Sequence, residues 1–444
     1  MDKTKILKEL TDFIAIESVS ADPARRDEMQ TAISFLTKKL ESLDFTVKTV
    51  VKGEGHPLLI AERKVEGAKK TIGIYGHYDV QPEDPVAEWK SKPFVLTERG
   101  DKLYGRGVAD DKGHVMQNIA AIEQLIQSDS LTNNIVFILE GEEETGSIYL
   151  EQYLQDLREL LQKVDIFFIT DVGMYAKGVP QLFYALRGLI YYEIELTIGE
   201  SDLHSGVYGN RVYNPLNVLS DLFAKMKDIQ TGEILIPNFY KDVRVVPDTE
   251  LKLLENVQKS DDELKSEANV YGLTTVRGVP SYLASKIFPS MDVHGITGGF
   301  SGEGPKTVIP RTAKAKFSFR LVDNQVPETV DALVKDFIKN TIPSEIKYTL
   351  TELGIDRPFY TSLENPLVQQ VSEILSEHFG NNAVINRSGG SIPVAESFTR
   401  LFGKPVVLTG FTLSDDNLHA PNENFDTEMF WEGIEALKKI YHKL

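Results

Sequence analysis

The sequence predicts an α/β protein: a mostly parallel sheet covered by helices on both faces, with a second, α+β domain inserted into it. Two observations carry this prediction. Short apolar runs of the kind found in strands buried on both faces alternate with stretches of helical period. Between residues 187 and 357 the pattern of apolar residues is different. A chain of 444 residues, 41% of them hydrophobic, is also too long for one ordinary domain.

The predicted core strands are the four apolar runs Thr71 to Tyr75, Ile135 to Leu139, Ile166 to Ile169 and Val406 to Leu408. Asp22 and Pro23 offer an N-cap and a first helical position, and apolar residues then recur at helical spacing as far as Leu43. Another amphipathic helix, with Phe430 and Tyr441 on its apolar face, closes the chain. Strands and helices therefore alternate, as an α/β sheet requires.

The middle of the chain has a different pattern. Its predicted elements are two alternating strands and two helices, Tyr191 to Ile198, Ala313 to Val322, Pro215 to Lys225 and Thr329 to Lys339. Alternation is typical of strands with one exposed face. We therefore expect a discontinuous first domain of residues 1–186 and 358–444, interrupted by a second domain of residues 187–357.

Charge and composition exclude several classes of protein. The formal charge of -18 would repel nucleic acid and anionic membrane surfaces, so neither is an expected partner. Met1 to Leu10 lacks the apolar core of a signal peptide, and no stretch approaches the roughly 20 apolar residues of a membrane span, so we expect a cytoplasmic protein. Without cysteine, a bound metal would need imidazole and carboxylate ligands, which suit zinc, manganese or cobalt.

Residues that can bind metal stand in distant segments, most of them at the end of an apolar run. They are His77, Asp110, Glu144, Asp171 and His419. Loops that follow buried strands can deliver such ligands to one crevice, so the set predicts a metal-dependent hydrolase. Taken alone, Asp171 can simply begin a turn and His419 can be structural, and the prediction depends on the set.

The loops after the first core strand contain two pairs of interest. In extended chain His77 and Asp79 point the same way, so that the carboxylate can orient the imidazole; the alternative is a surface pair near a turn. Asp110 and Asp111 repel each other unless a divalent cation lies against one of them, and Asp110 could then bridge two metals. The alternative for this pair is capping of the helix that follows.

Three consecutive glutamates follow the most apolar strand, in the stretch Glu140 to Ser147. Charged side chains beside a buried strand are costly without a compensating cation. Because Glu143 and Glu144 point in different directions, Glu144 can bind metal while Glu143 acts as general base to a metal-bound water. A solvated acidic loop is the alternative.

Five motifs together resemble one family. They are His77 to Pro82, Gly105 to Gly113, Glu140 to Ser147, Leu203 to Gly206 and Leu418 to Glu423. In order and spacing they resemble the carnosinase and cytosolic nonspecific dipeptidase branch of the aminoacylase/carboxypeptidase G metallopeptidases across nearly the whole chain. The resemblance implies a homodimeric hydrolase that cleaves the peptide bond of dipeptides with a free C-terminal carboxylate, using a metal-bridged water.

The resemblance also implies a metal site of two divalent ions per subunit. It makes His77 and Asp171 ligands of one ion, Glu144 and His419 ligands of the other, and Asp110 the bridge. Zinc is the metal we expect, with manganese or cobalt as alternatives.

Further roles follow from the same resemblance. Glu143 becomes the general base and acid, Asp79 positions the first histidine, and the peptide bond between Asp110 and Asp111 is expected to be cis. His204 matches a histidine that enters the active site of the other subunit and stabilises the oxyanion. Each site would then be complete only in a homodimer.

The resemblance makes the inserted domain a lid and dimerisation domain that binds substrate. Thr307 and Arg320 match residues that bind the carboxylate end of a dipeptide, and Ser391, with Gly390 before it, matches a third contact. The chemistry of Arg320 agrees, because a guanidinium on an alternating strand can bind both oxygens of a carboxylate. The alternative for Arg320 is a surface ion pair.

Two other functions stay open at this point. The same metal centre could remove acyl groups from N-acyl amino acids, as aminoacylases and desuccinylases do, although the long insertion and the carboxylate-binding matches favour a dipeptidase. The chain could also be a catalytically silent metal-binding relative. The presence of Glu143 beside the ligands argues against a silent protein.

Overall fold

The computed structural model describes residues 1–390 and 392–444, which divide into two compact units. The first unit comprises Met1–Tyr184, Thr361–Asn386 and Val394–Leu444, and the second comprises Ala185–Tyr360 and Arg387–Pro393. The sequence placed the short segment from Arg387 in the first domain. It belongs to the second because the Arg387 guanidinium binds both carboxylate oxygens of Asp323, at 3.0 and 2.6 Å.

The strands are numbered in chain order: β1 (Thr46–Val50), β2 (Leu58–Arg63), β3 (Thr71–His77), β4 (Thr97–Arg99), β5 (Lys102–Tyr104), β6 (Asn134–Glu140), β7 (Ile166–Ile169), β8 (Gln181–Leu186), β9 (Gly188–Thr197), β10 (Leu203–His204), β11 (Ser290–Gly298), β12 (Val308–Ile309), β13 (Thr312–Leu321), β14 (Lys347–Asp356), β15 (Phe359–Tyr360), β16 (Val384–Ser388), β17 (Val406–Leu408) and β18 (Asn424–Asp426).

The α-helices are α1 (Lys3–Ile14), α2 (Arg26–Glu41), α3 (Lys112–Gln127), α4 (Leu150–Asp156), α5 (Arg158–Leu161), α6 (Ser205–Tyr208), α7 (Pro215–Met226), α8 (Asp248–Glu255), α9 (Asp261–Ala268), α10 (Ser281–Ile287), α11 (Pro327–Thr341), α12 (Pro366–Phe379), α13 (Pro393–Phe402) and α14 (Thr427–Lys443). Among the described residues, no helix is both long and apolar enough to cross a membrane.

The first unit is built on a sheet with the strand order β1-β2-β6-β3-β7-β17-β8. β3 pairs in parallel with β6 and β7, and β17 pairs in parallel with β7, whereas β1, β2 and β8 are antiparallel to their neighbours. The parallel strands are the four predicted apolar runs, so the mostly parallel core is confirmed. Their residues are almost all buried, which explains why the runs show no polar alternation.

Helices cover both faces of this sheet, as predicted. Ile166 and Phe168 on β7 belong to the core that α1, α2, α3, α12 and α14 share. Phe167, between them, stacks on Phe398 of α13 with ring centroids 3.9 Å apart. Because successive side chains of a strand point to opposite faces, one short strand contributes to both cores.

The second unit carries an antiparallel sheet with the strand order β11-β13-β9-β14. Residues of β9 alternate between buried and half-buried, which is the pattern predicted for this stretch. Apolar side chains of α7 and α11, including Leu222 and Val334, pack with Tyr192 and Phe317 of the sheet. A separate two-stranded ladder pairs β10 with β12, where His204 lies opposite Val308.

The parallel strands bring the predicted metal ligands to one edge of the sheet. β3 ends at His77, β6 ends at Glu140 before the glutamate stretch, and β7 ends at Ile169, two residues before Asp171. Carboxyl ends of neighbouring parallel strands open on the same crevice. The first unit thus positions loops from three strands where ligands can converge.

Candidate metal centre

The five predicted ligands converge in the first unit. The Nε2 atom of His77 lies 3.0 Å from Oδ1 of Asp110 and 3.5 Å from Oδ2 of Asp171. The Nε2 atom of His419 lies 2.8 Å from Oδ2 of Asp110 and 3.4 Å from Oε2 of Glu144. Each oxygen of Asp110 therefore faces one histidine, which is the arrangement that a bridging carboxylate requires.

The donor spacing fits small divalent cations. Donors at tetrahedral positions around zinc, with bonds of 2.0–2.1 Å, lie about 3.4 Å from one another. The four histidine–carboxylate separations here run from 2.8 to 3.5 Å. One oxygen of Glu144, Oε1, is also buried without a hydrogen-bond partner among the described residues, as a metal-ligating oxygen would be.

The electrostatics of the carboxylates call for a cation. Burial, followed by repulsion from Asp110, raises the pKa of Glu144 to about 8 and that of Asp171 to about 6. Burial is also the main cause that raises the pKa of Glu143 well above its usual value, and repulsion from the neighbouring carboxylates adds to it. Buried carboxylates this close to one another are stable in ionised form only with positive charge between them.

The histidines supply part of that charge. Although burial opposes the shift, hydrogen bonds from His419 and His77 lower the pKa of Asp110 well below its usual range. The hydrogen bond to Asp110 is the largest cause that raises the pKa of His419 to about 9. A bound divalent cation would replace these protons and leave both imidazoles neutral as ligands.

The other nitrogen of His77 is held by the main chain. Nδ1 lies 3.0 Å from the carbonyl oxygen of Asp79 and 3.4 Å from its carboxylate Oδ1, so the carboxylate predicted to orient the ring makes the longer contact. A proton on Nδ1 leaves the Nε2 lone pair facing Asp110, which is the tautomer of a metal ligand. The Oδ2 atom of Asp79 accepts the amide of Glu144 at 3.1 Å and so links two ligand segments.

Glu143 and Glu144 begin a single 3₁₀ turn, Glu143–Thr145, shortly after β6. The Nε2 atom of Gln81 donates to Oε2 of Glu144 at 2.8 Å and fixes the side chain of this ligand. The sequence analysis did not assign Gln81 a role, and only its position two residues after Asp79, on the same loop as His77, could have suggested one. Glu143 lies close enough to His77, Asp171 and Asp110 for their charges to act on its carboxyl group.

Asp111 holds the main chain of the ligand His77 in place, a role that the sequence did not suggest. The peptide bond between Asp110 and Asp111 is cis, as the resemblance implied. The Oδ2 atom of Asp111 accepts the amide of His77 at 3.1 Å, and its Oδ1 atom pairs with Nδ1 of His114 at 3.1 Å. Burial raises the pKa of Asp111 to about 8. The sequence signal was the adjacency to Asp110, which we interpreted as repulsion or as capping of the next helix; Asp111 does occupy the N-cap position, but its side chain makes no capping hydrogen bond.

His114 lies near the ligands without being free to bind. Donor atoms of Asp111, His114 and Asp171 all lie within 4.8 Å of one another. Both ring nitrogens of His114 are used, however, because Nδ1 contacts Asp111 and Nε2 accepts the amide of Phe411 at 3.2 Å. Burial lowers its pKa to about 4. Neither ring nitrogen of His114 is therefore available to a cation.

In the second unit the structure brings His204 next to the segment of Thr307. His204 ends β10, is exposed, and its Nδ1 atom accepts the amide of Gly206 at 2.9 Å. The carbonyl oxygen of Thr307 accepts the amide of Ser205 at 3.1 Å. The proton of a neutral His204 therefore lies on Nε2, where the ring can donate a hydrogen bond.

The other predicted substrate contacts lie elsewhere in the second unit. Arg320 is half-buried on β13, opposite Leu189 of β9. Burial and then the charge of Arg320 lower the pKa of Arg187 to about 10, so two guanidinium groups lie near one another. The sequence analysis missed Arg187. The amide of Gly390 donates to Oγ of Ser388 at 3.2 Å, and Ser391 lies outside the described residues.

Metal removal should lower the stability of the protein. At a free zinc concentration 100 times the Kd, binding to the folded state alone adds about 2.7 kcal/mol for one site. We expect protein stripped with a chelator to melt at a lower temperature than the zinc-reloaded protein in a calorimetric scan. Asp110→Asn should lose this increment, whereas Asp12→Asn, an exposed control, should keep it. Equal melting temperatures with and without zinc would contradict the site.

Comparison with known proteins identifies the family. The model of "Peptidase family M20/M25/M40" matches residues 73–443. Cys-Gly metallodipeptidase DUG1 of Candida albicans is 32% identical, with 99% of this chain and 94% of the relative covered. Beta-Ala-His dipeptidase of Homo sapiens is 30% identical, with 99% and 89% covered. The M20 family metallo-carboxypeptidase Sso-CP2 from Sulfolobus solfataricus superposes with a TM-score of 0.84 at 32% identity, with both chains fully covered.

These matches confirm the resemblance that the motifs indicated. The family model alone spans most of the chain and includes every candidate ligand. This chain belongs to the peptidase family M20/M25/M40.

Proposed function

We propose that this protein is a di-metal dipeptidase that hydrolyses the peptide bond of dipeptides with a free C-terminal carboxylate. The observation that carries the proposal is the convergence of two histidines and two further carboxylates around Asp110, with Glu143 nearby. Relatives similar over nearly their whole length are named as dipeptidases, for Cys-Gly in one case and for β-Ala-His in another. No observation favours the N-acyl amino acid deacylase or the silent relative.

The centre would hold two divalent cations per subunit. His77 and Asp171 would bind one, Glu144 and His419 the other, and Asp110 both, as the donor separations allow. We propose zinc rather than manganese or cobalt, because the donor separations match those of tetrahedral zinc and because imidazole ligands suit zinc. Cations bound there would polarise the scissile carbonyl and lower the pKa of a water molecule.

Glu143 would move the protons of the reaction. Its carboxylate would accept a proton from the attacking water and return it to the nitrogen of the leaving amine. Burial beside other carboxylates raises its pKa, which strengthens it as a base. Asp79 would keep His77 in the tautomer whose Nε2 faces the cation.

The second unit would bind the rest of the substrate. We propose that residues 187–357 act as a lid and dimerisation domain. Its Arg320 and Thr307, together with Gly390 and Ser391, would contact the substrate carboxylate. The charge of Arg187 beside Arg320 supports an anion site there, because two nearby guanidinium groups are stabilised by a shared carboxylate.

His204 would complete the active site of the other subunit in a homodimer. Its Nδ1 accepts the Gly206 amide, so the exposed ring presents an Nε2–H donor of the kind that stabilises an oxyanion. The cytoplasmic location stays a prediction.

Glu143→Gln should separate catalysis from metal binding. The amide keeps the size of the side chain but cannot accept the proton, so kcat on dipeptides should fall about 10²- to 10⁴-fold. Zinc content, measured by atomic absorption, should stay at the wild-type level. The neighbouring Glu142→Gln is the control and should keep its activity.

The same assays should include tripeptides and N-acyl amino acids after separate reconstitution with zinc, manganese and cobalt. Faster wild-type turnover of N-acyl amino acids than of dipeptides would contradict the proposed activity, and an unchanged kcat in Glu143→Gln would remove the base.

Arg320→Ala should weaken binding of the substrate carboxylate. Loss of a charge-assisted bidentate contact, about 1.5–3 kcal/mol, should lower kcat/KM for free dipeptides by roughly ten- to a hundredfold. Dipeptide amides should lose little. Lys316→Ala, on the same face of β13, is the matched control and should leave both substrates unaffected. An equal loss on free and amidated dipeptides would contradict the proposed clamp.

Mixing two inactive variants should test whether subunits share a site. His204→Ala and Glu143→Ala should each be inactive alone, because each lacks one contribution to every site. Unfolded together and refolded at equal amounts, they should regain about a quarter of the wild-type activity, since half the dimers would contain one intact site. Activity no higher than that of the separate variants would argue against a shared site. Each variant refolded with itself is the control.

A further inference from the structure

Glu423 is fully buried, and its carboxylate accepts four hydrogen bonds from the loop that carries Asp110. Oε2 accepts from Nη1 of Arg106 at 2.6 Å and from the amide of Gly107 at 3.0 Å. Oε1 accepts from the amides of Ala109 at 2.9 Å and Asp110 at 3.1 Å. The loop folds around this carboxylate as a nest of amides folds around an anion.

Arg106 extends the contact to a further ligand segment. Its guanidinium is also buried, and Nη2 donates to the carbonyl oxygen of Pro82 at 3.1 Å. It also lies over the ring of Trp89, 5.4 Å from the centroid. Pro82 ends the segment that begins with His77. The side chains of Arg106 and Glu423 therefore contact the segment of Asp110 and the segment of His77. Glu423 itself belongs to a third segment, the one that carries His419.

That third segment carries His419. The amide of Gly105 donates to the carbonyl oxygen of Glu423 at 3.1 Å, and β18 continues the contact as an antiparallel partner of β5. His419 itself lies on an exposed loop in the left-handed region, with φ 60°, and is half exposed. Buried residues flank this loop on both sides, Asp416 before His419 and Glu423 after it, and the side chain of Glu423 binds the loop of Asp110.

Stability alone does not account for this pair. Removing an arginine and a glutamate from water is costly, and replacing a buried ion pair with apolar residues is often neutral or stabilising. What the pair supplies is geometry, because four donors converging on one carboxylate leave it a single position. The position of that carboxylate fixes the backbone of Asp110 on one side and the start of β18 on the other.

We propose that Glu423 and Arg106 are positioning residues of the metal centre. They set the distance between Asp110 and His419, and thereby the affinity for the cation that these two ligands share. Neither side chain touches the cation or the substrate; both act through the ligands. The inference rests on the proposed function in one respect, which is that the five ligands bind two cations.

Zinc titration of the metal-free full-length protein by calorimetry tests the inference. Glu423→Gln keeps the shape of the side chain, but its NH₂ group must face amide donors. We expect affinity for one of the two zinc ions to fall about 10- to 100-fold, which is the effect of removing partners that orient ligands. Arg106→Lys keeps the positive charge but cannot reach both Glu423 and Pro82 with one rigid group, and should show a smaller loss of the same kind.

Glu123→Gln is the matched control. Glu123 is also buried and paired, with Nζ of Lys39 at 2.7 Å, near the other end of α3 from the metal centre. Its loss should lower the melting temperature of the metal-free protein and leave both zinc affinities unchanged. The rise in melting temperature on adding zinc should therefore be smaller in Glu423→Gln than in Glu123→Gln.

Wild-type affinity for both zinc ions in folded Glu423→Gln and Arg106→Lys would overturn the inference. If Glu423→Gln does not fold, Arg106→Lys decides alone, by the same titration. A wild-type protein that binds no zinc or hydrolyses no dipeptide would instead contradict the proposed function, so the two failures are distinguishable.

Discussion

The structure depends on the neutralisation of carboxylates that the fold places side by side. Asp110, Asp171 and the adjacent pair Glu143 and Glu144 come from three segments, and burial raises the pKa of all of them except Asp110. Asp110 differs because histidines face both its oxygens. In water such groups would separate. The sheet and its loops hold them together, and that arrangement is stable because cations can share the charge.

Everything around the ligands serves to fix their directions. Asp79, Asp111 and Gln81 each hold a ligand through a main-chain or side-chain atom of that ligand. Glu423 does the same for the loop of Asp110. Asp79, Asp111 and Glu423 are buried and hydrogen-bonded, so these polar contacts are costly to rearrange. A centre supported in this way keeps ligand spacings suited to small cations, which is what hydrolysis of an unactivated peptide bond requires.

Much of the fold could be predicted because local patterns reflect burial. The four apolar runs became the parallel strands, and the alternating stretches became β9 and β13, since a strand buried on both faces needs no polar residues and a half-exposed one does. Most of the ligand candidates were also visible in the sequence, because they follow those strands. The segment of Arg387 was misplaced because its partner, Asp323, lies far away in the chain.

The sequence by itself determined which side chains could bind cations and which strand each of them follows, because residue type and local period are properties of short segments. Only the tertiary structure decided which atoms meet. The main-chain oxygen of Asp79, rather than its carboxylate, makes the closer contact to His77. This difference depends on a loop conformation that no local pattern specifies. Glu423 accepts a hydrogen bond from the amide of Asp110, 313 residues earlier in the chain. This contact depends on pairing between distant strands, and such pairing is set by packing of the whole unit.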